Sequence, residues 1–335
     1  MSFDILSDGH AIQKATRDEM EGWMQEAMQV RLRSFGRNLL CYSPTAYPYK
    51  IRDHEQGISH NFLSLSVTGT ACSLKCEHCN GRLLQGMEPT LTPDVLFERC
   101  REIKKQGGKG VLISGGSNST GHVPLDQFGE VIYRIKQELN LQIVVHTGLV
   151  TPETAHLLAE AQIDAAMLDI IGDADVASRV YHISEGPRKM RESLDILENH
   201  HIPTVPHILV GLDYGKLRGE IEALQILAHG KPAAIVIIAL SPIRKSPMGN
   251  VAPPTPEEIG RILTVARLGF QDIPILLGCA RPIGQHKIDT DLYAIRSGVN
   301  GIALISQEGV DFAKHLGLSP IFEDVCCSLA YQTLF

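Results

Sequence analysis

Short apolar runs rich in β-branched residues recur along this chain, and helical patterns separate them. The runs are FLSLSV at 62–67, GVLIS at 110–114, QIVVH at 142–146, AAMLD at 165–169, VPHILV at 205–210, AIVIIA at 234–239, IPILL at 273–277 and GIALI at 301–305. Strands that alternate with helices form βαβ units and therefore a parallel sheet. With eight such units, the pattern predicts an α/β fold, a (β/α)8 barrel of the TIM type.

The predicted helix starts agree with this alternation. Thr92-Pro93, Thr151-Pro152 and Thr255-Pro256 each combine an N-cap threonine with proline at the first helical position. A further amphipathic pattern runs over 16–39, where Thr16 and Glu19 have the spacing of a capping box. We therefore expect an N-terminal helix and loop extension at 1–60, the barrel at 61–308, and a C-terminal tail at 309–335 that folds over the active face.

Charge and hydropathy exclude several classes of protein. The chain has 31 basic and 38 acidic residues, a net charge of −7, and no long basic run, which argues against nucleic-acid and anionic-membrane partners. The N-terminus lacks the pattern of a signal peptide, and no apolar run approaches the ~18 residues of a membrane span. We expect a soluble, cytoplasmic protein.

Cysteine usage indicates the chemistry. In a chain without a secretion signal, eight cysteines favour reduced thiols used in metal binding or catalysis over a disulfide framework. Three of them, Cys72, Cys76 and Cys79, lie in the stretch TGTACSLKCEHCNG directly after the first predicted strand. Functional residues of such barrels lie on the loops that follow the strands. The motif is therefore predicted at the active rim.

The number of thiols distinguishes between metal sites. A structural zinc site uses four protein ligands, whereas a [4Fe–4S] cluster held by three thiolates leaves one iron free for a small molecule. Zinc and plain buried thiols remain the weaker alternatives. A C-x3-C-x2-C loop after the first strand of a parallel barrel resembles the radical S-adenosylmethionine (SAM) superfamily. The resemblance implies that the free iron binds SAM, and that one electron then generates a 5′-deoxyadenosyl radical.

Residues at the rim match other features of that superfamily. Gly115 and Gly116 resemble a Gly-Gly-Glu element whose backbone meets the SAM amino group, although Ser117 replaces the acid. Asp169 resembles the acid that binds the SAM ribose in biotin-synthase-like members, with a helix cap or loop-closing carboxylate as the alternative. Arg188 matches an arginine that meets the SAM carboxylate, unless it is a solvated surface residue.

Three other strand ends complete the predicted SAM site. Gly211, in the motif HILVGLDYG, resembles a glycine beside the adenine, and its backbone is the functional part. His146 and Leu240, at the ends of the third and sixth predicted strands, are assigned to the same site. His207, inside the glycine motif, is equally consistent with a satisfied side chain in the barrel interior.

Several motifs narrow the resemblance to one group. TGTACSLKCEHCNGRLL, LISGGSNSTGHVPL, VVHTGL, LDIIGD, VPHILVGLDYG, LGCARPIG, SGVNGIA and the pair Cys326-Cys327 are similar to the biotin-synthase-related group that supplies one component of the two-protein lipoyl synthase. The similarity covers about residues 40 to 330. It implies sulfur insertion at an unactivated C–H bond of an octanoyl chain carried on a lipoyl carrier protein or domain. It also implies a sister radical SAM component and a reductant such as ferredoxin or flavodoxin.

The resemblance implies a second, sacrificed cluster as the source of sulfur. Cys41, Cys279, Cys326 and Cys327 are the predicted ligands of this auxiliary [4Fe–4S] cluster. The alternative is that they are inert buried thiols, and adjacent cysteines tend to diverge. Cys100, within a helical pattern, is expected to be structural. Arg281 is open to two interpretations, a partner of cluster or SAM and a structural ion pair.

Two other functions compete with this interpretation. One is a different biotin-synthase-like enzyme, a methylase or cofactor-assembly enzyme with a single catalytic cluster. The other is a non-enzymatic iron–sulfur or electron-transfer module, which predicts no SAM cleavage. The sequence does not indicate whether C6 or C8 would receive sulfur.

Overall fold

The computed structural model describes residues 3–45, 48–57 and 60–334. The strands are β1 (Asn38–Tyr42), β2 (Phe62–Ser66), β3 (Glu88–Pro89), β4 (Gly110–Ser114), β5 (Gln142–His146), β6 (Ala165–Met167), β7 (His207–Val210), β8 (Ile235–Ala239), β9 (Ile275–Leu277), β10 (Gly301–Ala303) and β11 (Ser319–Glu323). The α-helices are α1 (Ser7–Lys14), α2 (Arg17–Phe35), α3 (Pro93–Lys105), α4 (Gly129–Arg134), α5 (Pro152–Glu160), α6 (Ala174–Val180), α7 (Gly186–Asn199), α8 (Glu220–Leu227), α9 (Pro256–Gly269), α10 (Gln285–Arg296), α11 (Gln307–His315) and α12 (Ala330–Leu334).

The strands form two parallel arcs. One has the order β11-β1-β10-β9-β8-β7 and the other β3-β2-β4-β5-β6. Parallel bridges from Ala166 to Thr204 and from Asp169 to His207 join β6 to β7. At the opposite seam, the Asn61 side chain donates to the Asp324 carbonyl at 2.8 Å. All eight predicted strands are present, and the predicted α/β barrel is confirmed.

The segments that flank the barrel also contribute to its sheet. β1 pairs in parallel with both β10 and β11. The amphipathic pattern predicts a helix that continues to Leu39, but α2 ends at Phe35 because Gly36 turns the chain with a φ of 68°. Thr16 and Glu19 do form the predicted capping box. The division of the chain at residues 60 and 308 therefore did not anticipate the two additional strands, β1 and β11.

The C-terminal tail lies inside the barrel. Val325, Cys327, Leu329 and Ala330 pack among apolar side chains that face the lumen. Tyr331 donates a hydrogen bond to the carbonyl of Asp164, the residue before β6. The end of the tail therefore fills the amino-terminal end of the lumen, opposite the rim, and does not fold over the active face as expected.

None of the helices in the described part of the chain is long and apolar enough to span a membrane.

The apolar side chains between the barrel strands and the surrounding helices form the hydrophobic core. α9 contributes most of its length to it, with ten consecutive buried residues from Ile259 to Leu268. Burial on all sides marks this helix as internal to the fold.

The buried tail predicts a stability effect. Leu329 is 3% exposed in the lumen, so we expect Leu329→Ala to lower the free energy of unfolding by about 2–4 kcal/mol through lost burial and a new cavity. Leu316→Ala is the matched control, because Leu316 is 40% exposed and should change it by less than about 0.5 kcal/mol. Urea denaturation of the metal-free protein measures both. Equal effects of the two substitutions would contradict the placement of the tail.

Candidate active site

The three-cysteine loop is anchored at the rim by its backbone. The N–H of Ser73 donates to the Ser117 carbonyl at 2.8 Å, which ties the loop to the segment after β4. The N–H of Glu77 donates to the Val180 carbonyl at 2.9 Å, which ties it to the end of α6. Contacts to two neighbouring rim loops therefore hold the cysteines in place.

The Gly-Gly pair after β4 lies directly against this loop. A Cβ atom at Gly116 would come within 2.0 Å of the Ala71 carbonyl oxygen and 2.6 Å of the Cys72 Cβ atom. The Gly116 N–H donates to Thr68 Oγ1 at 2.6 Å. Only glycine permits this close approach. The backbone of Gly115 and Gly116 is therefore beside the first cysteine, as a backbone role at the site requires.

Two of the three thiols, Cys76 and Cys79, are poor anions without a bound cation. Cys76 is buried, while Cys72 and Cys79 are half-buried. Burial raises the pKa of Cys79 to about 11, and burial together with repulsion from the other two thiolates raises the pKa of Cys76. A cationic metal centre reverses this cost, because it holds its thiol ligands deprotonated.

The number of thiols in this loop distinguishes a cluster from a single ion. Among residues 3–45, 48–57 and 60–334, no group of three His, Cys, Asp or Glu side chains is arranged to hold a metal ion. A structural zinc site uses four protein ligands, whereas in a cubane each thiolate binds a separate iron. Three thiols therefore match the ligand number of a [4Fe–4S] cluster with one open iron.

Asp169, directly after β6, forms the polar centre of the upper lumen. Its Oδ2 accepts a hydrogen bond from the Tyr181 hydroxyl at 2.8 Å, and its Oδ1 lies 3.7 Å from His146 Nε2. Burial opposes ionisation, but His146, His207 and Tyr181 outweigh it and lower the pKa of Asp169. The helix-cap alternative for Asp169 is met by Asp173 instead, whose Oδ1 accepts from the first turn of α6.

The two histidines of the lumen differ in pKa. Burial alone would lower the pKa of His146, but the carboxylate of Asp169 raises it overall. Burial and the neighbouring charge of His146 lower the pKa of His207 to about 4. The two rings lie 6.0 Å apart between centroids. The upper lumen therefore places His146 within 3.7 Å of the Asp169 carboxylate, which favours its protonated form, whereas the pKa of His207 is lowered.

Tyr181 and His78 connect this centre to the cysteine loop, and the sequence analysis identified neither. The two rings are stacked, with centroids 4.9 Å apart and an interplanar angle of 22°. Burial lowers the pKa of His78 to about 4. Tyr181 follows α6 outside any motif, so its contact with Asp169 depends on tertiary packing that sequence spacing does not report.

Cys279, Cys326 and Cys327 form a second group of thiols. A hydrogen bond from the Cys327 thiol, opposed by burial and aided by Ser328 and the charge of His146, lowers the pKa of Cys326 to about 7. The same contact, together with burial, raises the pKa of Cys327. Cys279 is an exposed residue, and it lies close enough to Cys326 for the charge of that thiol to contribute, after desolvation, to its raised pKa. The structure thus brings together three of the four thiols predicted to hold an auxiliary cluster.

Cys41 does not join this group, which corrects the sequence-based ligand set. Successive side chains of a strand point to opposite faces. Leu40 and Tyr42 face the lumen, so Cys41 packs outward in the layer between strands and helices. Its Sγ lies 3.7 Å from the Leu39 carbonyl oxygen. Cys100 is fully buried in the same layer, as expected of a structural cysteine.

Tyr42 faces the second thiol group and was missed by the sequence analysis. Its side chain is 1% exposed, and its hydroxyl lies near Thr333 of the C-terminal segment. The thiols of Cys327 and Cys326 are close enough to contribute to the raised pKa of this phenol, after burial itself. Tyr42 therefore lines the lumen beside two of the thiols.

The structure does not bring Arg188 to the site. Its side chain is 54% exposed and pairs with Glu185 at 2.8 Å and with Glu192, neighbours on the same helix. The solvent-exposed alternative is therefore the one observed. Arg281 likewise forms the structural ion pair, with its guanidinium 2.9 Å from the buried carboxylate of Asp291.

Gly211 and Leu240 lie at adjacent strand ends. The Gly211 N–H donates to Glu220 Oε1 at 2.8 Å, and the residue has a φ of 79°, which favours glycine. Burial raises the pKa of Glu220 to about 7. The Leu240 N–H donates to the Val210 carbonyl at 2.9 Å. Both residues are part of the rim, where the sequence placed them.

Comparison with known proteins agrees with this geometry. A family profile described as the radical SAM superfamily matches residues 66–217. A biotin synthase of Ruthia magnifica subsp. Calyptogena magnifica is 23% identical over 243 residues, which cover 69% of this chain and 74% of that protein. A 7,8-didemethyl-8-hydroxy-5-deazariboflavin synthase of Halobacterium salinarum is 23% identical over 287 residues, 76% of this chain and 77% of that protein.

Solved structures share the fold. The crystal structure of methylornithine synthase (PylB) has a TM-score of 0.69 at 15% identity and covers 100% of this chain and 97% of its own. The matched segment 66–217 contains the three-cysteine loop, the Gly-Gly pair and Asp169. This chain is thus similar to the radical SAM superfamily over residues 66–217, and to biotin synthases among its relatives. The similarity implies a [4Fe–4S] cluster and SAM as cofactors.

The assignment of the cluster loop predicts a specific loss of iron. Cys72→Ala, Cys76→Ala and Cys79→Ala should each remove about four irons per chain after anaerobic reconstitution, because each thiolate holds one corner of the cubane. Release of 5′-deoxyadenosine under reductant should stop in all three variants. Cys100→Ala is the matched control and should retain both properties. Full iron content in the Cys76 variant would contradict the assignment.

Proposed function

We propose that this chain inserts sulfur at an unactivated C–H bond of an octanoyl chain carried on a lipoyl carrier protein, as one component of a lipoyl synthase. The observation that carries the proposal is the second thiol group, in which Cys326 and Cys327 are in contact, Cys279 is near both, and Cys326 lies near His146. An enzyme that only generates a radical does not require a second group of thiols. Sulfur insertion needs a sulfur donor within reach of the substrate carbon.

The residues of the rim would hold the first cluster and SAM. Cys72, Cys76 and Cys79 would bind three irons, and the backbone of Gly115 and Gly116 would meet the SAM amino group at the remaining iron. When bound and reduced, this cofactor pair supplies the 5′-deoxyadenosyl radical. The protein orients the cofactor and keeps water out of the lumen.

Asp169 would accept hydrogen bonds from the SAM ribose. The Tyr181 hydroxyl donates to this carboxylate, and His146 Nε2 lies 3.7 Å from it, so both favour its ionised form. His207 beside them has a lowered pKa and adds a polar atom. This arrangement would hold the ribose end of SAM.

The second thiol group would hold an auxiliary [4Fe–4S] cluster through Cys279, Cys326 and Cys327. Such a cluster would supply the sulfur atom for the substrate carbon. Tyr42, whose phenol lies near Cys327 and Cys326, would line this part of the site. With Cys41 on the outer face of β1, the predicted set provides three cysteines for the cluster and not four.

The octanoyl chain, the carrier, the sister radical SAM component and a ferredoxin- or flavodoxin-type reductant follow from the motif resemblance. The lumen offers apolar side chains to an alkyl chain, including Leu112 and Ile238 on opposite strands.

Mixing of octanoylated carrier peptide, SAM and reductant, with and without the sister component, tests the proposal directly. We expect a mass increase of one sulfur atom on the peptide. Unchanged peptide in both mixtures, with SAM cleaved, would refute it.

The ribose contact predicts a loss of SAM affinity. Asp169→Asn should weaken SAM binding by about ten- to a hundredfold, because hydrogen bonds to a charged acceptor are lost, while the iron content stays unchanged. Equilibrium binding to the reconstituted enzyme measures it. Asp175→Asn, on the exposed surface of α6, is the control and should bind as the unmodified chain does. Equal affinity of both variants would exclude the contact.

The auxiliary cluster predicts a split between two activities. The double variant Cys279→Ala, Cys326→Ala should fall from about eight irons per chain to about four. It should still release 5′-deoxyadenosine, because the first cluster is separate, but transfer no sulfur. Cys41→Ala, the matched control, should retain all eight irons because its thiol faces away from the lumen.

The competing function is a biotin-synthase-like enzyme with one catalytic cluster, such as a methylase or cofactor-assembly enzyme. The similarity to a biotin synthase and to a deazariboflavin synthase is also consistent with this competing function, because both proteins are only 23% identical to this chain. Turnover of a substrate by the Cys279, Cys326 double variant at an undiminished rate would favour this function over sulfur insertion.

A further inference from the structure

Three rim loops meet at Glu77, inside the three-cysteine loop. The Tyr214 hydroxyl, from the loop after β7, donates to Glu77 Oε2 at 3.4 Å. The Met248 N–H, from the loop after β8, donates to the Glu77 carbonyl at 3.4 Å. His182 Nε2, from the loop after β6, lies 3.5 Å from Glu77 Oε1. Residues close to these contacts in the chain therefore share one region of the surface.

That region carries an excess of positive charge. We call its exposed cations Lys75, Lys216, Arg244 and Lys245 the cluster-loop basic patch. In the described part of the chain, none of the four has a carboxylate within ion-pair distance. A chain of net charge −7 thus presents unpaired cations beside its first cluster.

The acidic side chains nearby are already neutralised. Asp213 lies 2.8 Å from Arg179, and Asp173 lies 3.0 Å from Arg218. The Glu77 carboxylate contacts Tyr214 and His182 and forms no ion pair with a lysine of the patch in the described part of the chain. The charge of the patch is therefore not cancelled within the chain, and it remains available to a partner.

The centre of the patch has the composition of a contact surface. Tyr214 is 39% exposed although it is held by Glu77, and Lys216 lies two residues beyond it. Exposed tyrosine surrounded by charged residues is typical of protein interfaces. Electron-transfer partners form small, transient and polar complexes, in which complementary charge sets the rate of encounter.

We propose that the cluster-loop basic patch docks a small acidic protein that donates one electron to the first cluster. Lys75 directly precedes the cluster ligand Cys76, so a partner seated here brings its redox centre to the edge of the cluster. Electron transfer slows steeply with distance, which favours this position over any other on the barrel surface. The donor loses one electron and the cluster gains it, with no proton or bond exchanged. The inference depends on the radical SAM assignment and not on the identity of the substrate.

The test compares two reductants on the reconstituted holoenzyme. The variant Lys216→Gln, Arg244→Gln, Lys245→Gln leaves the cluster loop intact. We expect its second-order rate of reduction by a reduced, strongly acidic flavodoxin, followed by bleaching of the cluster absorbance, to fall roughly tenfold or more at low salt. Raising the salt concentration should lower the reduction rate of the unmodified enzyme towards that of the triple variant. Reduction by dithionite should be the same in both proteins.

A matched control places the same loss of charge at the other end of the barrel. Arg33, Lys105 and Lys231 are exposed and each precedes a strand, so Arg33→Gln, Lys105→Gln, Lys231→Gln should leave flavodoxin reduction unchanged. Equal slowing by the two triple variants, or equal slowing with dithionite, would overturn the proposal. An unchanged rate of reduction by flavodoxin, together with weaker binding of an acidic lipoyl carrier domain, would also overturn the proposal. That result would show that the patch binds the carrier.

Discussion

Parallel pairing of the strands is the constraint on which the rest of this structure depends. Every ladder in both arcs is parallel, and the bridge from Asp169 to His207 continues the same polarity from one arc to the other. All strands therefore end on one rim. Residues far apart in the chain, such as Cys76 after β2 and Asp169 after β6, become neighbours only because of this polarity.

The rim is built so that its parts hold one another. Gly116 presses against Cys72, Tyr181 joins Asp169 to His78, and Glu77 joins the loops that follow three strands. Such contacts fix the cluster ligands on a rigid scaffold, as precise positioning of a radical requires. Behind them, the tail fills the lumen with apolar side chains and presents Cys326 towards His146. The chain's own C-terminal segment thus closes the lumen at its amino-terminal end.

Features encoded locally could be predicted from the sequence. The eight strands, the capped helices and the three-cysteine loop each depend on residues within a short window, and all are found where they were expected. β1 was missed because its apolar residues continue the periodicity of α2, and only Gly36 separates them. β11 was missed because it is short, contains Pro320, and begins and ends with the polar residues Ser319 and Glu323.

Features that depend on long-range packing could not be predicted. Cys41 belongs to the right segment, but its direction depends on the register of β1, which places Leu40 opposite Gly301 and turns the thiol outward. The tail carries the expected cysteines to the site from inside the lumen, which no spacing in the sequence indicates. Arg188 matches a motif and yet is satisfied by two glutamates one helical turn away.

The open iron of the first cluster is the central claim, and electron paramagnetic resonance tests it most directly. In the variant that lacks Cys279, Cys326 and Cys327, the reduced protein should show the signal of a single [4Fe–4S] cluster. Addition of SAM should change that signal, because the cofactor binds at the unliganded iron, and 5′-deoxyadenosine should then form. A signal that SAM leaves unchanged would contradict the account, as would zinc in place of iron at Cys72, Cys76 and Cys79.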